Sequence, residues 1–314
     1  MEGSDRVYYL LSFISSILIA LMILVNGKLG SVYGSYFSVI IIHIVGITLL
    51  SAILAFKKYS VRIKEKTPWY FYTGGFIGYF TVIFNVLSFG KISLSAIIAL
   101  CLFGQMVTSI VVDNFGLMGM KKIPINIYKS IGTIVTMIGV IIMINGSEFH
   151  LLAIIMSFLS GVTIVISRTV NAELSERSNE YVSGWYNYFT GIITAVVAFI
   201  ILSESSLIHV EYINIMRSHL TISNIVLYSG GILGVGIVVL ANVCVRKISA
   251  INMTLILFAG QIFAGIIIDY ALSDIIVIQN VLGGLCAVVG LLINCSENTS
   301  FKSKFSFKKA ATNK

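Results

Sequence analysis

Two stretches of the chain carry the same pattern of residues. Residues 74–113 read GGFIGYFTVIFNVLSFGKISLSAIIALCLFGQMVTSIVVD, and residues 230–269 read GGILGVGIVVLANVCVRKISAINMTLILFAGQIFAGIIID. At a constant offset of 156 the matched positions include a glycine pair and a third glycine, a Lys-Ile-Ser step, a Gly-Gln step and a final aspartate. Shared polar and glycine positions within apolar sequence indicate a duplication, so the chain contains an internal repeat.

The repeat extends to the start of each half. Ser12-Phe13 matches Ser157-Phe158, and Val25-Asn26 matches Val170-Asn171, both at an offset of 145. The change of offset predicts an insertion before the eighth helix, in the loop 204–221. This loop is also expected to lie as an amphipathic segment on the outer surface.

Composition decides the class of protein. Of the 314 residues 57% are hydrophobic and 11% are charged, whereas an ordinary soluble domain has about 25% charged residues. The mean hydropathy is +0.98. These values exclude a soluble enzyme and a disordered chain, and the long apolar runs exclude a membrane β-barrel. We predict an all-α polytopic membrane protein with ten spans: 7–27, 34–56, 69–89, 92–112, 126–145, 150–170, 181–203, 222–245, 248–268 and 275–295.

Basic residues orient the bundle. With ten spans, eighteen Lys and Arg residues fall on the side of the termini and three on the other side. Basic loops are typical of the cytoplasmic side, so both termini are expected in the cytoplasm. Each half then holds five helices, and an odd number inverts the second copy. We predict a first repeat at 1–147, a second, inverted repeat at 148–296 and a basic cytoplasmic tail at 297–314.

The chain resembles a known group of membrane proteins. Inverted five-helix repeats with cytoplasmic ends are similar to the drug/metabolite transporter superfamily. The segment FGQMVTSIVVDNFGLMG and its echo AGQIFAGIIIDYAL resemble one family within it, assigned as bacterial inner-membrane exporters. The second copy departs from the motif after Tyr270. The resemblance implies a transport fold with a cavity lined by helices 1, 3, 4, 6, 8 and 9. It also implies export and a multi-pass location in the cytoplasmic membrane, but no particular ligand.

The deep polar residues are candidates for the cavity lining. Gln105 and Gln261 follow Ser93 and Ser249 by twelve residues, about 18 Å along a helix, so they lie near mid-membrane. The alternative is an amide that hydrogen-bonds between helices and stabilises the bundle. Asn85, Asn242 and His43 are further cavity candidates, and His43 could couple transport to protons or could be a neutral structural histidine.

Aspartates near the ends of the fourth and ninth helices are candidates for gates. Asp113 and Asp269 oppose the dipole of a helix C-terminus, and a repeated feature of this kind calls for a partner. We predict gate-like ion pairs of Asp113 with Arg168 and of Asp269 with Lys28 or Lys91, which would break and form again as the halves rock. Interfacial anchors or permanent structural pairs are the alternative.

The remaining polar residues limit the chemistry. Four histidines and four cysteines are scattered without metal spacing, and no Walker motif occurs, so we expect no catalytic residue, metal or cofactor. The first helix lacks the glutamate of small multidrug exporters, which counts against a proton-coupled cation extruder. A secondary transporter for a small polar or amphipathic metabolite, neutral or zwitterionic, is predicted. The alternatives are a non-transporting scaffold, a lipid scramblase or a lipid-modifying enzyme. Expected partners are a small-molecule solute and membrane lipids, with a homodimer left open and no nucleic acid.

Overall fold

The structure is a computed structural model that describes residues 3–63, 66–117, 122, 125–145, 149–202, 222–245 and 250–311. Within these residues it contains ten α-helices and no strand. The helices are α1 (Gly3–Tyr33), α2 (Ser35–Lys57), α3 (Gly74–Ser88), α4 (Leu94–Phe115), α5 (Ile127–Asn145), α6 (Leu151–Glu176), α7 (Glu180–Leu202), α8 (Gly230–Val245), α9 (Ala250–Ser273) and α10 (Ile278–Ala311). The predicted all-α, two-repeat architecture is confirmed.

Nine of these helices, as far as the chain is described, are long and apolar enough to cross a membrane. The remaining helix is α8, whose 16 residues follow a 3-10 segment at Ile222–Tyr228. A 3-10 segment at Trp69–Thr73 precedes α3 in the equivalent position. Both third spans therefore begin as a tighter helix, which apolar periodicity alone does not reveal.

Helix α6 is longer than the sequence predicts. Apolar residues end near 170, but the helix continues through Asn171 and Glu173 to Glu176. Glutamate forms helices readily outside the apolar layer, so a hydropathy boundary marks the edge of the membrane and not the end of the helix. Consequently Arg168, expected at the end of the span, lies two turns inside α6.

The two repeats pack into each other and not side by side. The first helix of each repeat lies against the third and fourth helices of the other, so α1 packs on α8 and α9, and α6 packs on α3 and α4. Equivalent helices pair directly as α2 with α7 and α5 with α10. The fold is therefore a swapped arrangement with an approximate two-fold axis between the equivalent pairs.

Glycines permit this close packing at equivalent positions. A Cβ at Gly75 would collide with the Asn187 carbonyl, and one at Gly231 would press on the Ile42 carbonyl. The same relation holds along α5 and α10, where Gly132 faces the Gly290 carbonyl. Contact between backbones leaves no room for a side chain, so both repeats carry glycine there.

The turn between α1 and α2 also depends on glycine. Only Gly34 separates the two helices, and its φ of 75° lies in the left-handed region that other residues adopt at a cost. The tight connection holds α2 beside α1 and directs its polar face, which includes His43, toward α7.

Candidate functional site: a polar path between the repeats

His43 and Tyr188 meet where α2 crosses α7. The His43 side chain is buried, and its Nδ1 donates to the Val39 carbonyl of its own helix at 2.8 Å. The two ring centroids are 5.7 Å apart in an edge-on arrangement. The Tyr188 hydroxyl donates to the Gly231 carbonyl of α8 at 3.4 Å. These contacts connect three helices from both repeats near the centre of the bundle.

Exposure distinguishes the two rings. His43 is buried, whereas Tyr188 keeps part of its surface accessible. The Tyr188 ring lies against Gly46 of α2, and its hydroxyl lies against Gly234 of α8. Tyr188 therefore lies between helices of the first and second repeats, beside the buried His43.

Arg168 is an accessible charge within α6. Its side chain is exposed, and the residue lies two turns before the end of the helix. Helix α6 packs against α3 and α4 of the other repeat. No carboxylate among the described residues lies within 4.0 Å of Arg168. Arg168 is thus a cation without an ion pair in the described part of the chain.

Gln105 belongs to the same region. Its Nε2 donates to the Cys101 Sγ at 3.5 Å, and the Cys101 thiol also hydrogen-bonds Ser160 of α6. Gln105 is partly exposed, so its amide retains capacity for another partner. Gln105 therefore lies where α4 packs against α6, the helix that carries Arg168.

The other predicted cavity residues differ in their surroundings. Gln261 is buried, and its Nε2 donates to the Leu257 carbonyl of its own helix at 2.9 Å. Asn85 is also buried, and its Oδ1 has no hydrogen-bond partner in the described part of the chain. The side chain of Asn242 lies outside the described residues. The cavity roles of all three stay predictions.

Asn26 and Asn171 form a pair of equivalent contacts that the sequence reading missed. The Asn26 Oδ1 lies against Gly230 at the start of α8, and the Asn171 Oδ1 lies against Gly74 at the start of α3. Neither oxygen has a hydrogen-bond partner among the described residues. The repeated Val-Asn step was visible in the sequence and is the signal that could have identified them.

The contact at α3 includes a wider polar network. Asn171 Nδ2 donates to the Asn187 Oδ1 at 2.8 Å and to the Ser167 Oγ at 3.3 Å. The Ser167 hydroxyl donates to the Gly74 carbonyl at 2.8 Å. Helices α3, α6 and α7 are therefore joined by hydrogen bonds at the predicted cytoplasmic end.

The predicted gate aspartates have other neighbours in this structure. Asp269 accepts from the backbone N–H groups of Leu94 and Ser95 at 2.7 and 2.9 Å, so it caps the N-terminus of α4. The Asp113 carboxylate lies 3.8 Å from the Lys129 Nζ. Lys91 is exposed beside the turn that leads into α4. Pairing of Asp113 with Arg168 and of Asp269 with Lys91 stays a prediction.

Comparisons with known proteins place the architecture in a family. A search of curated proteins found no significant match. A solved protein crystal structure aligns with a TM-score of 0.49 and 13% identity, over 93% of this chain and 96% of its own. A family model described as "Putative inner membrane exporter, YdcZ" matches residues 7–142 and again residues 152–293. Since the two matches span almost the whole chain, this multi-pass membrane protein belongs to that family, in a fused form with two copies of the repeat.

Proposed function

We propose that the protein is a secondary transporter that moves a small polar or amphipathic solute out of the cell by alternating access. The family supports a transporter, and its description supports export across an inner membrane. The observation that carries the mechanism is the pair of asparagine–glycine contacts between the repeats. Inverted repeats of this kind enclose a solute site at their interface in many transporters.

The two contacts are suited to be alternate gates because they lie at opposite ends of the bundle. By the predicted sidedness, Asn171 and Gly74 lie at the cytoplasmic end, and Asn26 and Gly230 at the outer end. Each contact joins the first helix of one repeat to the third helix of the other. A rocking motion of one repeat against the other would open one contact while it keeps the other closed.

The chemistry of each contact also favours reversible opening. A buried amide oxygen without a hydrogen bond costs about 1–3 kcal/mol, and water would relieve that cost when the contact opens. The Cα–H groups of a glycine compensate only weakly. A closed gate of this kind is only a few kcal/mol from its open form, which is the energy range of transporter states.

Cysteine pairs test the gates. In a background with the four native cysteines replaced by alanine, N26C with G230C would lock the outer end, and N171C with G74C the cytoplasmic end. In each pair the shorter side chain at the asparagine position leaves room for the new Cβ at the glycine position. We expect either cross-link to abolish solute counterflow in proteoliposomes and reduction to restore it.

A third pair provides the control. Thr133 and Asn294 are neighbours in the α5–α10 seam, where Asn294 Nδ2 lies 3.5 Å from the Thr133 Oγ1. Cross-linking T133C to N294C should leave transport intact, because these helices are expected to move as one unit. Unimpeded transport with both gate pairs cross-linked would contradict the mechanism. An absence of saturable flux for every solute of a metabolite panel would favour a scaffold or a scramblase.

A further inference from the structure

Arg168 lies inside α6 and not at its end. In α6 it precedes the last helical residue, Glu176, by eight residues, about 12 Å along the axis. Helical side chains incline toward the N-terminus of their helix, so the guanidinium is directed from there toward the middle of the bundle. The acidic residues of the described spans lie at helix ends and outside salt-bridge distance of Arg168.

The repeat shows that packing does not require this arginine. The position equivalent to Arg168 in α1 is Ile23, which is buried, and the position equivalent to Cys101 in α9 is Leu257. The same helix crossing is therefore apolar in one half and polar in the other. A polar group that the fold itself does not need is more readily explained by a ligand than by structure.

A cation inside a membrane bundle needs a compensating anion or water. Asp113 is a candidate at the end of α4, but its carboxylate lies beside Lys129. Helix α4 packs against α6 and carries the partly exposed amide of Gln105, a neutral donor. Arginine presents several N–H groups in a planar fork that fits carboxylate and phosphate oxygens.

We propose that Arg168 and Gln105 form a binding site for an oxyanion, so that the transported solute carries a carboxylate or a phosphate. The inference rests on the proposed transport function and gives it a substrate class. The sequence predicted a neutral or zwitterionic solute. The oxyanion site requires a negatively charged group on the solute, which a zwitterion has and a neutral solute lacks.

A reporter cysteine measures the local charge without knowledge of the substrate. Ile164 lies one turn from Arg168 on the same side of α6 and is partly exposed. In the alanine background, I164C is modified with an anionic and a cationic methanethiosulfonate of similar size. We expect R168Q to lower the anionic-to-cationic rate ratio about tenfold and R168K to preserve most of it.

The matched control is another arginine of the same helix segment. Arg177 follows α6 directly, with its guanidinium 5.0 Å from the centre of the Phe71 ring. R177Q should leave the rate ratio unchanged. An equal ratio in R168Q and the parent would overturn the proposal, as would a loss of the same size in R177Q. Size-exclusion profiles confirm that each variant is folded before its rates are compared.

Protection of the reporter identifies the anion. Benzoate, phenyl phosphate and benzamide share a ring and differ in the polar group. We expect benzoate or phenyl phosphate to slow modification of I164C, whereas benzamide does not, and we expect R168Q to abolish this protection. The effective anion distinguishes a carboxylate site from a phosphate site. Equal protection by all three, or by none, would overturn the proposal.

The outcomes separate the site from the transport function. An intact rate ratio and intact protection without any solute flux would refute transport and keep the oxyanion site. Solute flux that is indifferent to R168Q would refute the site and keep transport. Recovery of R168D by D113R would instead show that Arg168 pairs with Asp113 in a gate, which would also overturn the site.

Discussion

His43 and Tyr188 occupy the same position in the two repeats, and each ring lies over a glycine of the other's helix. At the offset of 145, His43 corresponds to Tyr188, and Gly46 corresponds to Gly191. The His43 ring covers Gly191 of α7, and the Tyr188 ring covers Gly46 of α2. The contact is symmetric in space but not in chemistry, since one partner is an imidazole and the other a phenol.

Alanine at Gly46 or Gly191 should destabilise the α2–α7 pair. A Cβ at either position would overlap the ring that covers it, and rings cannot shorten to make room. We expect a loss of about 1–3 kcal/mol, seen as a lower midpoint of thermal unfolding in detergent. G236A is the control, because a Cβ at Gly236 meets nothing within 4 Å. Adding H43A to G191A should recover part of the loss. A failure to recover stability would contradict the contact between the His43 ring and Gly191.

Alanine at Gly74 or Gly230 should bias the gates in opposite directions. The new Cβ would displace the Asn171 or the Asn26 oxygen, which is the end of a movable side chain, so the fold should survive. We expect G74A to favour opening toward the cytoplasm and G230A to favour opening toward the outside. Labelling of I164C with a membrane-impermeant reagent from each side of the membrane measures the bias. The same change of accessibility in both variants would contradict alternate gating.

Removal of the Asp269 charge should weaken the attachment of α4. The carboxylate accepts two backbone N–H groups at a helix N-terminus, where negative charge is favourable. We expect D269N to lower the free energy of unfolding by about 1–2 kcal/mol. D274N is the control, because Asp274 is exposed and its φ of 55° suits asparagine. A loss in K91A as large as that in D269N would instead support the predicted ion pair with Lys91.

His43 should stay neutral through the working range of pH. Its Nδ1 is engaged by the Val39 carbonyl, and it is buried without an acidic neighbour among the described residues. Burial of a charge without a partner is costly, so we expect the neutral imidazole to persist. Accessibility of I164C from each side, measured between pH 5.5 and 8, should then vary in the same way in H43Q and in the parent. A pH response that disappears in H43Q would support the proton-coupling hypothesis.

Much of the architecture was predictable because its causes are local in sequence. Apolar runs of about twenty residues specify membrane helices, and the side preferred by Lys and Arg orients them. The glycine pair was visible in both copies of the repeat, and Gly75 and Gly231 face carbonyl groups of α7 and α2. The predicted end of α6 was wrong, because hydropathy reports the extent of the apolar layer and not the length of the helix.

The candidate site was less predictable, because it depends on which helices meet. Gln105 was singled out by its depth, but its place beside α6, the helix of Arg168, required the packing of α4 on α6. In the sequence, Asn26 and Asn171 were only matched positions of the repeat. The swapped packing shows that each contacts the third helix of the other repeat.

The sequence by itself determined a ten-helix membrane protein made of two inverted copies, since hydropathy and duplication can be read along one dimension. Only the tertiary structure decided that the copies exchange their first helices, that Asp269 caps α4 and that Arg168 lies inside α6 without an ion pair among the described residues. These relations join residues far apart in the chain. Their energies arise from exclusion of water and from close contact between helices, which no local pattern encodes.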